Sequence, residues 1–361
     1  MCGPPTTLNP MNEASRKIRS PFLRRKCLLF GLGLAGGAPA CFAQIIPPPD
    51  SIHVGTDAGS DAKWLDRTQS GLYRFIWKSA RSIDRLGGAP ATDEQYQEAS
   101  GYTALAMMWS EYDGWDPRVR FNVDLPLPRV NKRFKAFIGR VNRDEYVFER
   151  VEPSGAFPRV SRSIEEDETL AGIAYSQTPR EGGRFSASGG ARLRGGLDPY
   201  VKASYIVEWL LWEDTVLRLK ESVIWQKSER LGLTSRLDFD RMFGRRWHMR
   251  WTGSGTVTQE TPGLRGYSTL TFTRPLPNRQ AIILQASFNV DTTEDVKLRD
   301  YGVKFAYRRS VFRDWLVMET RTSLSWPRES LDESRKPSWG VGIGVQMYFG
   351  NEEFTGRPIT F

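Results

Sequence analysis

The sequence predicts an all-β protein: a transmembrane, antiparallel, up-and-down β-barrel of about 14 strands, preceded by one N-terminal amphipathic helix. Three observations support this fold class. Apolar and polar residues alternate through most of residues 99–350, as they do in strands with one apolar and one polar face. The alternating segments are long enough for tilted membrane-spanning strands. The 12 tryptophans include many near segment ends, where the aromatic girdles of a membrane barrel lie.

The first 43 residues have the layout of a secretory signal peptide. An apolar run at 27–35 follows a basic segment, whose charges are Arg16, Lys17, Arg19, Arg24, Arg25 and Lys26. We expect export to the periplasm and cleavage after Ala43. A short membrane anchor, lipid attachment at Cys41 and translation from Met11 are the alternatives.

Composition narrows the function classes. The signal segment carries six of the 51 basic and one of the 42 acidic residues, so its removal lowers the formal net charge from +9 to +4. We therefore expect no nucleic-acid partner. The three cysteines all lie within the first 41 residues, which excludes a disulfide framework in the body of the chain. With only His53 and His248 available, we expect no metal site and no cofactor.

Residues 44–60 are rich in Pro, Gly, Ser and Asp, and they predict a flexible lead. Apolar residues recur three or four positions apart through 61–86, which predicts an amphipathic helix, with a linker continuing to 98. We expect this helix in the periplasm. It has three alternative placements: plugging the lumen, packing under the periplasmic mouth, or lying on the inner leaflet. Residues 351–361 form a C-terminal tail.

Fourteen segments carry the strand pattern. In the last one, Trp339, Val341, Ile343, Val345, Met347 and Phe349 share the apolar face. The first two segments are the least regular, so twelve strands is the alternative. The predicted strands are 100–111, 117–126, 133–142, 168–178, 184–194, 199–212, 214–227, 231–242, 245–258, 263–275, 279–291, 299–310, 314–326 and 338–349.

The connections also favour a membrane barrel. With both ends of the barrel in the periplasm, the periplasmic connections are short: 127–132, 179–183, Glu213, 243–244, 276–278 and 311–313. The outward connections include the three longest, 143–167, 292–298 and 327–337. Short inner turns with longer outer loops are typical of bacterial barrels. A soluble sandwich or lipocalin-like barrel would show the same alternation in its strands but does not call for this asymmetry.

Two stretches carry a family resemblance. Residues 342–349 resemble the terminal targeting strand of bacterial outer-membrane barrels, although eleven residues follow them here. Over roughly residues 64–349 the chain resembles uncharacterised outer-membrane β-barrel proteins of proteobacteria, through segments 121–126, 307–316 and 326–328. The resemblance implies an outer-membrane location, contact with outer-membrane lipid and lipopolysaccharide, and insertion by the barrel-assembly machinery. It implies no activity and leaves the oligomeric state open.

If the apolar face meets lipid, the polar face lines the lumen. Basic side chains exceed acidic ones there, which is typical of an anion-favouring pore. The alternative is a packed lumen in which the charges pair and seal the barrel. The predicted lumen-lining charged residues are Arg118, Arg120, Asp124, Arg192, Arg194, Lys202, Glu208, Arg218, Lys220, Arg236, Asp238, Asp240, Arg246, His248, Arg250, Lys304, Arg308, Glu319 and Arg321.

Glu221 interrupts this pattern because it falls on the apolar face between Leu219 and Val223. A carboxylate in the middle of a bilayer is costly. We therefore expect either a register shift in this strand or a position of Glu221 near a membrane interface.

One pair of residues could carry chemistry. A turn at 243–244 would place Asp240 opposite His248 and Asp238 opposite Arg250 on the polar face. An Asp–His pair is the skeleton of a general base, which makes Asp240 and His248 weak catalytic candidates. The pair resembles the acids and histidine that line omptin proteases, but those sites lie at the outer rim of the barrel. Outer-membrane phospholipases need a serine just after the histidine, and here Met249 follows. A structural charge ladder is the favoured interpretation.

The sequence therefore predicts an integral outer-membrane β-barrel that acts as a passive narrow channel or a structural envelope protein. The alternatives are an envelope hydrolase acting on lipid or peptide, and an assembly or lipid-transfer helper that docks through residues 61–86. Whether the chain is an enzyme stays open, with a non-enzymatic role favoured.

Overall fold

The computed structural model describes residues 99–350 except 129, 132, 142–167, 178–182, 194–195, 245 and 261–262, together with Arg67 and Gly71. Nearly all of the described chain is strand. The strands are β1 (Ser100–Ser110), β2 (Gly114–Pro126), β3 (Phe134–Val141), β4 (Glu168–Ser176), β5 (Arg184–Leu193), β6 (Leu197–Trp212), β7 (Thr215–Gln226), β8 (Arg230–Phe243), β9 (Trp247–Thr258), β10 (Arg265–Leu276), β11 (Gln280–Asp291), β12 (Leu298–Ser310), β13 (Leu316–Ser325) and β14 (Ser338–Phe349).

These strands form one closed antiparallel barrel in which each strand pairs with its neighbours in the chain. The barrel closes where β1 pairs with β14, from Gly101 opposite Phe349 to Ser110 opposite Gly340. Closure gives every strand a hydrogen-bonded neighbour on both sides, as a barrel in a membrane requires. The predicted fourteen-stranded, up-and-down barrel is confirmed. Its first two strands pair with each other from Ser100 opposite Asp124 to Ser110 opposite Gly114, and β2 begins at Gly114 rather than at residue 117.

The predicted signal peptide, the lead at 44–60, most of the helix at 61–86 and the tail at 351–361 lie outside the described residues. Within the part of the chain that is described, no helix has the length and apolar character to cross a membrane.

The outward face of the barrel is apolar. On β1, Leu105, Met107 and Trp109 are exposed, whereas the alternate residues between them are buried. The same alternation continues around the sheet, and Trp115 and Trp339, near strand ends, are among the most exposed side chains. Soluble monomers rarely expose so continuous an apolar surface. An apolar band with tryptophans near the strand ends is the exterior of a barrel that lies in lipid.

Glu221 keeps its place on this outward face. It pairs with Tyr205 of β6 and Ser235 of β8 without a register shift, and it lies near the middle of β7 rather than at an end. The expected register shift is therefore wrong, and a position of Glu221 near a membrane interface stays a prediction. Ser235 Oγ donates a hydrogen bond of 2.7 Å to Glu221 Oε2, which supplies one polar partner for the carboxylate.

The barrel lumen as candidate functional site

Successive side chains of a strand point to opposite faces of the sheet. The residues that alternate with the exposed apolar ones therefore point inward and line the lumen. The predicted lumen residues that lie on described strands are on this inward face, where they alternate with outward apolar residues. Two predicted residues differ. Arg194 lies outside the described residues, and Arg246 is exposed in the turn between β8 and β9, before β9 begins.

Strands β8 and β9 hold the predicted Asp–His pair. Asp240 Oδ1 lies 2.8 Å from His248 Nε2 and accepts a hydrogen bond of 2.6 Å from Arg250 Nε. Arg250 Nη2 also donates to Asp240 Oδ2 at 3.1 Å, so the guanidinium holds the carboxylate at both oxygens. Such a bidentate pair fixes the orientation of Asp240 and offsets its charge. The contact between Asp240 and His248 therefore belongs to a three-residue cluster.

The predicted register of this hairpin is wrong by two residues. Asp240 pairs across the strands with Arg250, and His248 pairs with Met242. The strands extend to Phe243 and resume at Trp247, so the turn has three residues, 244–246, instead of two. Asp240 still reaches His248 because diagonal neighbours on one face of a sheet lie within reach of long side chains.

Asp238 has its own partners. It faces Thr252 rather than Arg250, and Thr252 Oγ1 donates to its Oδ1 at 2.6 Å. Arg236 binds the same carboxylate at 2.9–3.0 Å through two nitrogens. Arg218 of β7 lies within 4.0 Å of both Asp238 and Asp240 and donates to Glu208 at 2.6 Å. Charges of both signs thus form a connected network on the inward face of β6–β9.

A second network lies on β12–β14. Glu319 sits between two arginines, 3.3 Å from Arg308 and 3.4 Å from Arg321. Arg308 Nη2 also donates to Gln346 Oε1 at 3.2 Å and to Tyr348 Oη at 3.1 Å. Arg308 is only 2% exposed and Glu319 only 1%. The hydrogen bonds to Gln346 and Tyr348 offset part of the cost of burying the Arg308 charge.

Small residues make room for this second network. The inward positions of β14 include Gly340, Gly342 and Gly344, and the adjacent inward positions of β1 include Ala104 and Ala106. Gly342 lies directly opposite Arg321, and Gly344 lies opposite Glu319. Long side chains from the neighbouring strands can therefore lie along the wall without clashing. The buried charges of β13 thus face positions of β14 that carry no side chain.

The sequence list missed several inward polar residues. Arg265 of β10 binds Glu229 at 2.8 Å, and Asn289 donates to Asp300 across β11 and β12. The alternating pattern of β10 and β12 already places Arg265 and Asp300 on the polar face, so the sequence could have predicted both. Inward hydroxyl pairs were also missed because only charges were considered; they are Ser204 with Ser222 and Thr234 with Thr256, each at 2.9 Å.

One end of the barrel is tied together by side chains. Tyr112, in the turn between β1 and β2, donates to Glu333 Oε2 at 3.3 Å in the connection between β13 and β14. Burial, followed by the charges of Glu329 and Glu333, raises the pKa of Tyr112 to about 12, so its phenol stays a donor near neutral pH. Arg335 donates to the Trp326 carbonyl oxygen, which anchors the same connection to the end of β13.

Among the described residues, no group of three or more His, Cys, Asp and Glu side chains is placed to hold a metal ion. The inward face can act on ions through its fixed charges. It presents arginine and lysine side chains in excess over carboxylates, held by hydrogen bonds inside a closed wall. Charges fixed within low-dielectric walls raise the local concentration of ions of opposite sign.

No family model and no curated protein sequence matches this chain. Among solved structures, the outer membrane channel DcaP of Acinetobacter baumannii is similar at 9% identity and a TM-score of 0.44, covering 70% of this chain and 96% of that one. The anion-selective porin from Comamonas acidovorans is similar at 10% identity and a TM-score of 0.41, covering 70% and 98%. These similarities are too low to indicate a shared function.

Proposed function

We propose that this chain is a passive channel of the bacterial outer membrane whose lumen favours small anions. The observation that carries the proposal is a closed barrel with an apolar exterior and an inward face on which basic side chains outnumber acidic ones. A ring of basic side chains makes a pore selective for anions. The chain would lie among outer-membrane lipid and lipopolysaccharide after insertion by the barrel-assembly machinery.

The inward carboxylates are consistent with passive transport. Asp238 and Asp240 each offset part of the charge of neighbouring arginines. Conduction requires binding that is favourable enough for entry and weak enough for release. A lumen with interspersed carboxylates meets the second condition better than an unbroken row of arginines.

A structural envelope protein with a sealed lumen is the second candidate. It is favoured by the buried cluster of Arg308, Glu319 and Arg321, in which the charges are paired and withdrawn from water. The two candidates differ in whether the remaining inward face encloses a continuous aqueous path.

Single-channel recording separates the two candidates. The full-length gene would be expressed with export, and the protein purified from outer membranes and shown by heat-modifiable electrophoretic mobility to be folded. We expect discrete current steps in a planar bilayer, and a reversal potential across a KCl gradient that shows chloride preference. Folded protein that gives no steps would overturn the channel and leave the structural role. Steps with potassium preference would retain the channel and overturn its anion selectivity.

A further inference from the structure

The inward face is not uniform around the barrel. On β12, β13, β14 and β1 nearly every inward side chain is buried, whether it is apolar, such as Met108, or charged, such as Arg321. Ser323 on this side is 5% exposed. We call these four strands the covered wall. Arg308 bonds to Gln346 and Tyr348 of the same wall, and Arg321 lies directly opposite Gly342.

The opposite side is more open. On β6–β9 the side chain of Arg218 is 22% exposed and that of Arg250 is 13% exposed, and Lys202, Lys220 and Ser254 are also partly accessible. We call these four strands the accessible wall. Lys202, Lys220, Arg218 and Arg250 keep contact with solvent, whereas Arg236 and the inward cations of the covered wall are buried.

The accessible wall also contains an unusual cross-strand pair. Lys220 of β7 lies directly opposite Arg236 of β8, and both point inward. Like charges directly opposite each other in a sheet are destabilising. Two residues further along these strands Arg218 lies opposite Asp238, and on the neighbouring strand pair Arg250 lies opposite Asp240. The wall therefore contains one position where two cations face each other across the strands, and Arg236 at this position is also bonded to Asp238.

We infer that anions cross this barrel along the accessible wall, in a path displaced from the barrel axis, with Lys202, Lys220, Arg218 and Arg250 as its selectivity-determining residues. This inference rests on the proposed channel function. Adjacent strands are about 4.8 Å apart and alternate residues about 6.8 Å apart, so successive cations are within one short step of each other. Lys220 and Arg236 lie on adjacent strands of this path.

The covered wall contributes little to selectivity for a physical reason. Glu319 offsets Arg308 and Arg321 at close range, and all three are withdrawn from solvent. A permeating anion cannot replace these contacts without exposing the buried carboxylate. Their charge instead holds β12, β13 and β14 together.

Cysteine accessibility tests which wall lines the path. Residues 44–361 contain no cysteine, and Cys2, Cys27 and Cys41 can be replaced by serine to leave a cysteine-free background. Ser254→Cys places a thiol on the accessible wall, between Arg236 and Tyr267. Ser323→Cys makes the same change on the covered wall, between Lys304 and Gly340. Both serines point inward, so the two variants are a matched pair.

We expect a sulfonate-bearing methanethiosulfonate reagent to reduce the current through Ser254→Cys channels. Reaction at Ser323→Cys should be slower by roughly tenfold or more, because it requires local opening of the covered wall. We also expect the sulfonate reagent to modify Ser254→Cys faster than an ammonium reagent of similar size. Equal modification of both cysteines, or faster modification of Ser323→Cys, would overturn the displaced path while leaving the channel function intact.

Charge removal gives a second, independent readout. Lys220→Gln should lower the chloride-to-potassium permeability ratio towards one, because it removes a partly accessible cation from the inward face. Arg309→Gln is the control, since Arg309 lies on the outward face of β12 and removes the same charge. A ratio that falls equally in both variants, or in neither, would contradict the assignment of Lys220. Wild-type protein that is folded but silent would instead mean that the channel proposal itself fails.

Discussion

Glu319 shows how a single residue can hold part of a barrel wall together. It carries the carboxylate of the cluster that includes Arg308 and Arg321, and all three residues are almost completely buried. Removing one partner of a buried ion pair leaves the other charge uncompensated. In this cluster two guanidinium groups would remain, and each would repel the other.

We therefore expect Glu319→Gln to lower the free energy of unfolding by about 3 kcal/mol. The measurement is urea unfolding of the protein refolded in lipid vesicles, followed by tryptophan fluorescence. Glu221→Gln is the matched control, because it removes a carboxylate from the outward face, where Ser235 is its hydrogen-bond partner. The control should be neutral or stabilising. Equal losses in the two variants would mean that the cluster around Glu319 has no special stabilising role.

At the scale of an element, the β4–β5 pair depends on two facing glycines. Gly172 lies opposite Gly190 on the inward face. A Cβ atom at Gly190 would lie 2.3 Å from the backbone oxygen of Ala171 and 2.8 Å from Gly172 Cα. The neighbouring Gly189 points outward, and a Cβ there would meet no atom closer than 3.7 Å. Adjacent residues of one strand thus differ sharply in the room that they have.

We expect Gly190→Ala to destabilise the barrel by about 1–3 kcal/mol, the usual range for overpacking, since the clash is with backbone atoms that cannot rotate away. Gly189→Ala should change stability little. Vesicle refolding yield and urea midpoint would be measured for both variants. Similar behaviour of the two would show that β4 and β5 are further apart than the structure places them.

At the scale of the whole molecule, selectivity by charge predicts a dependence on salt. The Debye length falls from about 10 Å at 0.1 M to about 3 Å at 1 M, so the inward cations act over shorter distances as salt rises. We expect the chloride-to-potassium permeability ratio of the wild-type channel to fall towards one across this range. Lys220→Gln should show a smaller change. A wild-type ratio that does not vary with salt would indicate selection by size instead of charge.

Much of the barrel could be predicted from local pattern. Alternation with a period of two depends only on neighbouring residues, so it located all the strands and assigned Arg120, Arg218 and Arg321 to the polar face. The pairing register between neighbouring strands was harder to predict from the sequence, as the hairpin of Asp240 and His248 shows. One extra residue in a turn shifts the pairing of every residue that follows, and turn length was not evident from the sequence.

The sequence by itself determined the strand segments, their apolar and polar faces, and the excess of basic residues on the polar face. Only the tertiary structure decided which charges meet. The bond between Arg308 and Tyr348 joins residues 40 positions apart, and the pair of β1 and β14 joins the two ends of the barrel. The division of the lumen into a covered and an accessible wall follows from such contacts. It depends on which strands lie side by side once the barrel has closed, and a pattern of period two carries no information about that.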